Sequence, residues 1–220
     1  YHDSVYPVSQ TGSTGMAFEA GASGKNLTEW QFGMASLNPR WNVSGTYMQV
    51  LPSFISTDQD GNDEKEFLLD YFNELPDLLS MVFLKGYQWP FDVNKIFGGS
   101  SVIDLLVYQE TVLKKRRVFL DYRVNPGNLE KDRDLPYASM IPEAKEYLSQ
   151  AGACFGTPIE RLKHMNEPAI LFYQDHHVDL FKERLEIAVC AQHNNGGLST
   201  NHLWAVSYTH LRAHETDSYL

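Results

Sequence analysis

The sequence predicts an α+β fold. Short β-type runs are interspersed with amphipathic segments of helical period. The two do not alternate regularly, as a parallel βαβ sheet would require. Apolar residues make up 43% of the chain and aromatics 13%, enough for a packed core rather than a disordered chain. At 220 residues there is room for one sizeable domain, or one and part of another.

The elements follow in order. Ser13 to Ala22 reads as a short helix, with Ser13 or Thr14 as cap and Gly21 near its end. Asn26 to Phe32 alternates as a strand. Gly45 to Val50 and Phe54 to Ser56 are β runs broken by Pro52. Asp58 to Asp63 is a turn whose following Glu spacing does not fit an EF-hand. Glu64 to Phe72 and Leu75 to Lys85 carry apolar residues at helical spacing, with Pro76 in a first turn. Ser101 to Lys115 is the clearest amphipathic helix, with Ile103, Leu106, Val107, Val112 and Leu113 on one face. Val118 to Asp121 is a strand and Tyr137 to Gln150 a helix. Thr157 to Asp175 is a longer helix. It opens on the capping box of Thr157 and Glu160, and Pro168 should kink it. Leu185 to Cys190 reads as a buried strand.

The net charge of −10 argues against nucleic-acid binding, which needs a basic face. The one basic cluster, Lys114-Lys115-Arg116-Arg117, reads as a helix C-terminus favoured by cations. Cys154 and Cys190 have no metal-ligand spacing and form no disulfide scaffold, so a reducing, cytoplasmic compartment is expected. No apolar run has the length of a membrane span, and the first residues do not resemble a signal peptide. His210 and His214 lie four apart but lack a third ligand, so no metal site is assigned. Glu110, Arg123 and His176-His177 read as exposed polar residues in solvated or salt-bridged roles.

The most informative segment is Ala191-Gln192-His193-Asn194-Asn195-Gly196-Gly197-Leu198. A histidine, two amides and two glycines directly follow the apolar run. This suits a strand that delivers a polar side chain to a ligand while the backbone passes close by. The segment is similar to the His-x-x-Gly-Gly stretch of the flavoprotein subunits of fumarate reductase and succinate dehydrogenase. Two further segments resemble the same superfamily in the same order. One is Gly12-Ser13-Thr14-Gly15-Met16-Ala17 with Ala20-Gly21-Ala22 and Glu29-Trp30-Gln31-Phe32. The other is Gly98 to Asp104 followed by Val118 to Arg123. The resemblance implies a capping domain, about residues 38–180, flanked by incomplete pieces of a Rossmann-like FAD-binding domain at 1–37 and 181–205.

The resemblance also implies roles. His193 would hydrogen-bond a substrate oxygen, with Asn194 and Asn195 on the same face. Ser13, Thr14, Gly15, Gln31, Gly196 and Gly197 would contact FAD. The reaction would be hydride exchange between flavin N5 and a small substrate such as a carboxylate. Three departures weaken fumarate itself as that substrate. Gly33-Met34-Ala35 replaces His-Pro-Thr, Tyr47 to Ser53 carries no Glu-x-x-Arg-Gly, and Ser100 to Asp104 carries no proton-donor arginine.

Both ends read as cut. No Gly-x-Gly-x-x-Gly occurs, so the FAD pyrophosphate anchor is missing. Val206 to Leu220 looks like a non-native tail, similar to translated sequencing adapter. Two function classes follow. The first is an inactive fragment of an FAD-dependent oxidoreductase with a small-molecule substrate and an unassigned electron-transfer partner. The second is a non-catalytic binding or interaction domain derived from the same fold.

Overall fold

The computed structural model describes residues 13–128, 135–203 and 205–206. The fold is α+β, and the chain divides into two compact units. One is continuous, Gly33–Cys190. The other is assembled from the two ends of the chain, Tyr1–Phe32 and Ala191–Leu220.

In the discontinuous unit, α1 spans Ser13–Glu19, shorter than the expected run to Ala22. Gly21 takes φ 91, and the N–H groups of Gly21 and Ala22 turn back onto the carbonyls of Phe18 and Ala17 at 2.9 and 3.0 Å. A left-handed glycine ends a helix in this way. The strand expected over Asn26 to Phe32 is split. β1 is Gly24–Lys25. Asn26 then takes φ 55, a conformation that asparagine tolerates better than most residues. Strand β2 follows at Trp30–Leu37 and carries the chain into the continuous unit.

There β2 turns back into β3, Arg40–Asn42. The Ser36 hydroxyl braces the turn by donating to the Pro39 carbonyl at 2.6 Å. The β run expected at Gly45 to Val50 is instead a helical turn, α2, Thr46–Gln49. Gly45 enters it at φ 58, and Tyr47, Met48 and Val50 are all buried. Consecutive burial suits one helical turn packed on several sides. A strand would have alternated. β4, Ser53–Thr57, is buried along its whole length. The helix expected over Glu64 to Phe72 is only a 3-10 turn, Phe67–Asp70, which buries Phe67 and Leu68.

Helix α3 occupies Leu75–Lys85, the span read from the sequence. Helix α4, Ser101–Tyr108, is shorter than expected and runs into a π-helical turn, Gln109–Leu113. One extra residue per turn rotates the face. Ile103 and Val107 are buried as expected, but Val112 and Leu113 are exposed and Glu110 points inward at 3% exposure. β5 is Arg117–Asp121. The helix expected from Tyr137 breaks before Pro142, because a residue preceding proline avoids the helical region. α5 is therefore Pro142–Gln150. α6, Pro158–Asp175, opens on the capping box, with the Glu160 carboxylate accepting from the Thr157 N–H at 2.8 Å. It departs from helical geometry at Asn166, just before Pro168.

β6 runs Leu185–Asn194, and β7 is Gly197–Leu198. The main sheet has the order β3-β2-β6-β5-β4. β2 and β3 pair antiparallel, with Ser36 opposite Trp41. So do β4 and β5, with Ile55 opposite Phe119, and β5 and β6, with Val118 opposite Ile187. Helix and sheet residues form one core, including Phe54, Leu79, Ile103, Leu120, Leu162 and Ile187. Each such side chain contributes about 1.5–3 kcal/mol on burial. Arg161 is fully buried among them and donates to the carbonyls of Val50, Phe155 and Gly156 and to Asn125 Oδ1. It thereby clamps the turn at Leu51, a non-glycine residue with φ 57. No helix among the described residues is long and apolar enough to cross a membrane.

Candidate functional site

All seven residues singled out from the sequence fall in the discontinuous unit. Two distant segments meet there. β1 pairs with β7, placing Gly24 opposite Leu198 and Lys25 opposite Gly197. Ala17 of α1, Ala22 and Val206 are buried together, with Leu198 against them. Val206 also bridges to Thr200. The first residue assigned to the tail is thus part of this small core, and the rest of that tail lies outside the described residues.

The two glycines of the motif differ. A Cβ at Gly196 would sit 2.1 Å from the Asn26 carbonyl oxygen, so this glycine permits a close approach to protein backbone. The neighbouring Asn195 N–H donates to the Glu29 carbonyl at 2.7 Å. A Cβ at Gly197, or at Gly15, would meet nothing within 4 Å. Thr14 and Gly15 are exposed on α1, and Gln31 is half-buried on β2. His193 and Asn194 lie within β6. The strand therefore continues through the histidine rather than ending at Cys190, which is itself only partly buried. The side chains of Ser13, His193 and Asn194 lie outside the described residues.

The continuous unit holds two clusters of charge that sequence reasoning did not find. The first centres on Asp121, 1% exposed. Its Oδ1 accepts the backbone N–H and Nε of Arg123, both at 2.9 Å. Its Oδ2 accepts Arg123 Nη2 at 2.7 Å and Arg184 Nε at 2.8 Å. The Arg184 fork is then closed by Glu64, and Arg123 Nη1 donates to the Lys182 carbonyl. Burial pushes the Asp121 carboxyl up, but the two guanidinium groups outweigh it and hold the carboxyl below its ordinary range. Arg123, Lys182 and Arg184 line an open cleft of about 380 Å³ with Thr57, Gly61, Phe119 and Glu183. Since internal carboxylates already engage both guanidinium groups, the cleft presents little net positive charge.

The second cluster joins Lys85, the last residue of α3, to Asp104 in the first turn of α4. Lys85 Nζ pairs with Asp104 Oδ2, and the side chains are 0% and 1% exposed. Burial dominates both groups. It pushes the lysine down and the aspartate up, against their mutual attraction. Asp104 Oδ1 and the neighbouring Ser100 Oγ are buried without a hydrogen-bond partner. The available signal was a charged residue inside an apolar helix face, beside Ile103 and Val107.

The remaining candidates are structural. Lys114 pairs with Glu110 at 2.6 Å, Arg116 with Asp63 at 2.7 Å and Arg117 with Glu186 at 2.7 Å, so three of the four clustered cations have internal partners. Glu110, read as exposed, is buried beneath Lys114 and Arg116. His176 is exposed, with Nδ1 2.7 Å from the Phe172 carbonyl. Among the described residues, no three His, Cys, Asp or Glu side chains are grouped to hold a metal. His210 and His214 lie outside the described residues. Compared with known proteins, the chain matches no family model, no curated protein and no solved structure.

Proposed function

We propose that the chain is part of an FAD-dependent oxidoreductase of the fumarate reductase/succinate dehydrogenase flavoprotein superfamily. In this reading, the capping domain, about residues 38–180, lies within the continuous unit Gly33–Cys190. The discontinuous unit is a portion of the Rossmann-like FAD-binding domain. The observation that carries the reading is the insertion topology. The two ends of the chain build one compact unit, and a continuous unit with its own core lies between them. Two of the three segments that resemble this family, the one near the start of the chain and the Gly-Gly stretch, are those that β1 and β7 bring together.

The described residues fit a flavin in part. Gly15 and Gly197 leave open faces on which a planar ring could lie, and Thr14 and Gln31 can offer hydrogen bonds. A glycine-rich diphosphate loop does not occur in the sequence, so affinity for FAD requires further chain. When bound, FAD supplies the hydride chemistry that side chains lack. The task left to this chain is to bind and orient a small substrate such as a carboxylate. His193 has that role, hydrogen-bonding the oxygen that gains charge.

The test is to purify the complete protein and record its visible spectrum. A yellow protein that is bleached by reductant and reoxidised by an unsaturated carboxylate supports the reading. A colourless protein overturns it and leaves the non-catalytic domain. In a yellow protein, His193→Ala should lower kcat about 100-fold with flavin content unchanged. Gly197→Ala should reduce flavin content without loss of stability. Gly196→Ala should destabilise the protein itself, because its Cβ meets the Asn26 backbone.

A further inference from the structure

We propose that Ser100, Asp104 and Lys85 form a binding site for one internal water molecule at the junction of α3 and α4. This proposal is independent of the cofactor reading. Three observations converge on it. Asp104 Oδ1 and Ser100 Oγ are both buried and have no protein partner. They lie four residues apart, and Ser100 has helical backbone angles (φ −78, ψ −9), so their side chains stack on one face of α4. Lys85 Nζ is spent on the other oxygen of the same carboxylate, and two of its three N–H groups remain.

Ser100 behaves unusually for its position. It stands at the N-cap of α4, where a serine hydroxyl normally accepts a backbone N–H of the first turn. Here it makes no such bond. Its neighbours are satisfied. The Ser100 N–H donates to Gln88 Oε1 at 3.1 Å, and Ser101 Oγ accepts from the Asp92 N–H at 3.0 Å. The unspent groups are thus a carboxylate oxygen, a hydroxyl and ammonium hydrogens.

Orphaned buried polar groups of this kind are the usual partners of structural water, which needs two to four of them. A water can donate to Asp104 Oδ1, exchange a hydrogen bond with Ser100 Oγ and accept from Lys85. A metal cation fits poorly, because the Lys85 ammonium already neutralises the carboxylate.

The experiment is a crystal structure of the full chain at a resolution that shows ordered water, paired with a carboxyl-carbon NMR titration of Asp104 in wild type and Ser100→Ala. We expect density within hydrogen-bond distance of Ser100 Oγ and Asp104 Oδ1. We also expect the Asp104 midpoint to move upward in the variant, where the water is held less firmly. Ser100 Oγ bonded directly to Asp104 Oδ1, or no density between them, overturns the proposal. So does an unchanged midpoint. If the variant does not fold, the wild-type density alone decides.

Discussion

Asp121 and Asp104 are both buried aspartates with cationic partners, yet they have opposite electrostatic outcomes. Asp121 faces two guanidinium groups and a backbone N–H, and both of its oxygens are used. Its carboxyl is held below the ordinary range. Asp104 faces one ammonium, leaves one oxygen unmatched, and is pushed above that range by burial. Burial raises both carboxyls; at Asp121 two guanidinium groups and a backbone N–H outweigh it, and at Asp104 a single ammonium does not. The saturated cluster behaves as scaffold. The unsaturated one is the candidate for exchange with solvent.

The largest effect that could break this comparison lies at the Lys85–Asp104 pair. Lys85→Met strands the carboxylate and should cost about 3–5 kcal/mol. The double variant Lys85→Met/Asp104→Leu should recover most of that loss in urea denaturation. A double variant as unstable as the single one would show that the pair is needed for packing rather than tolerated. Asp121→Asn comes next. It weakens charge-assisted hydrogen bonds to two arginines that water can partly rehydrate, at a cost of roughly 1.5–3 kcal/mol.

Acid sharpens the contrast. Asp121 is depressed in the folded state, so its contribution is present above the unfolded value of about 3.9 and is lost as pH falls through the lower folded value. The stability gap between Asp121→Asn and wild type should therefore close in that acid window. Asp104 is raised, so its protonation stabilises the fold on acidification and begins at a higher pH than that of Asp121. Carboxyl-carbon titration should resolve the two in that order. The smallest effect belongs to Glu64, which is 51% exposed on Arg184. Glu64→Gln should cost at most about 1 kcal/mol, and less at high salt.

Elements with local chemical cause were legible in the sequence. The capping box at Thr157 and Glu160, the Pro76 start of α3 and the proline-linked break in α6 needed only near neighbours. Elements set by tertiary packing were not. Gly45 to Val50 has β-like composition, but burial on several sides makes it a helical turn. The π turn at Gln109–Leu113 reversed the exposure of Val112 and Glu110, which no fixed helical period anticipates. The candidate sites divide in the same way. The Gly-Gly segment could be recognised because its residues are contiguous. The pairing of Asp121 with Arg184, the closure of Arg184 by Glu64, and the pairing of Lys85 with Asp104 exist only once helices and strands have docked.

The insertion topology also imposes an order on biosynthesis. A ribosome synthesises every residue of Gly33–Cys190 before it makes the second half of the discontinuous unit. The inserted body can thus complete its core while β1 still lacks its partner β7. Synthesis that stops once Cys190 has cleared the ribosome would leave a finished insert attached to an unfinished host, and quality control would meet the host's unpaired strand.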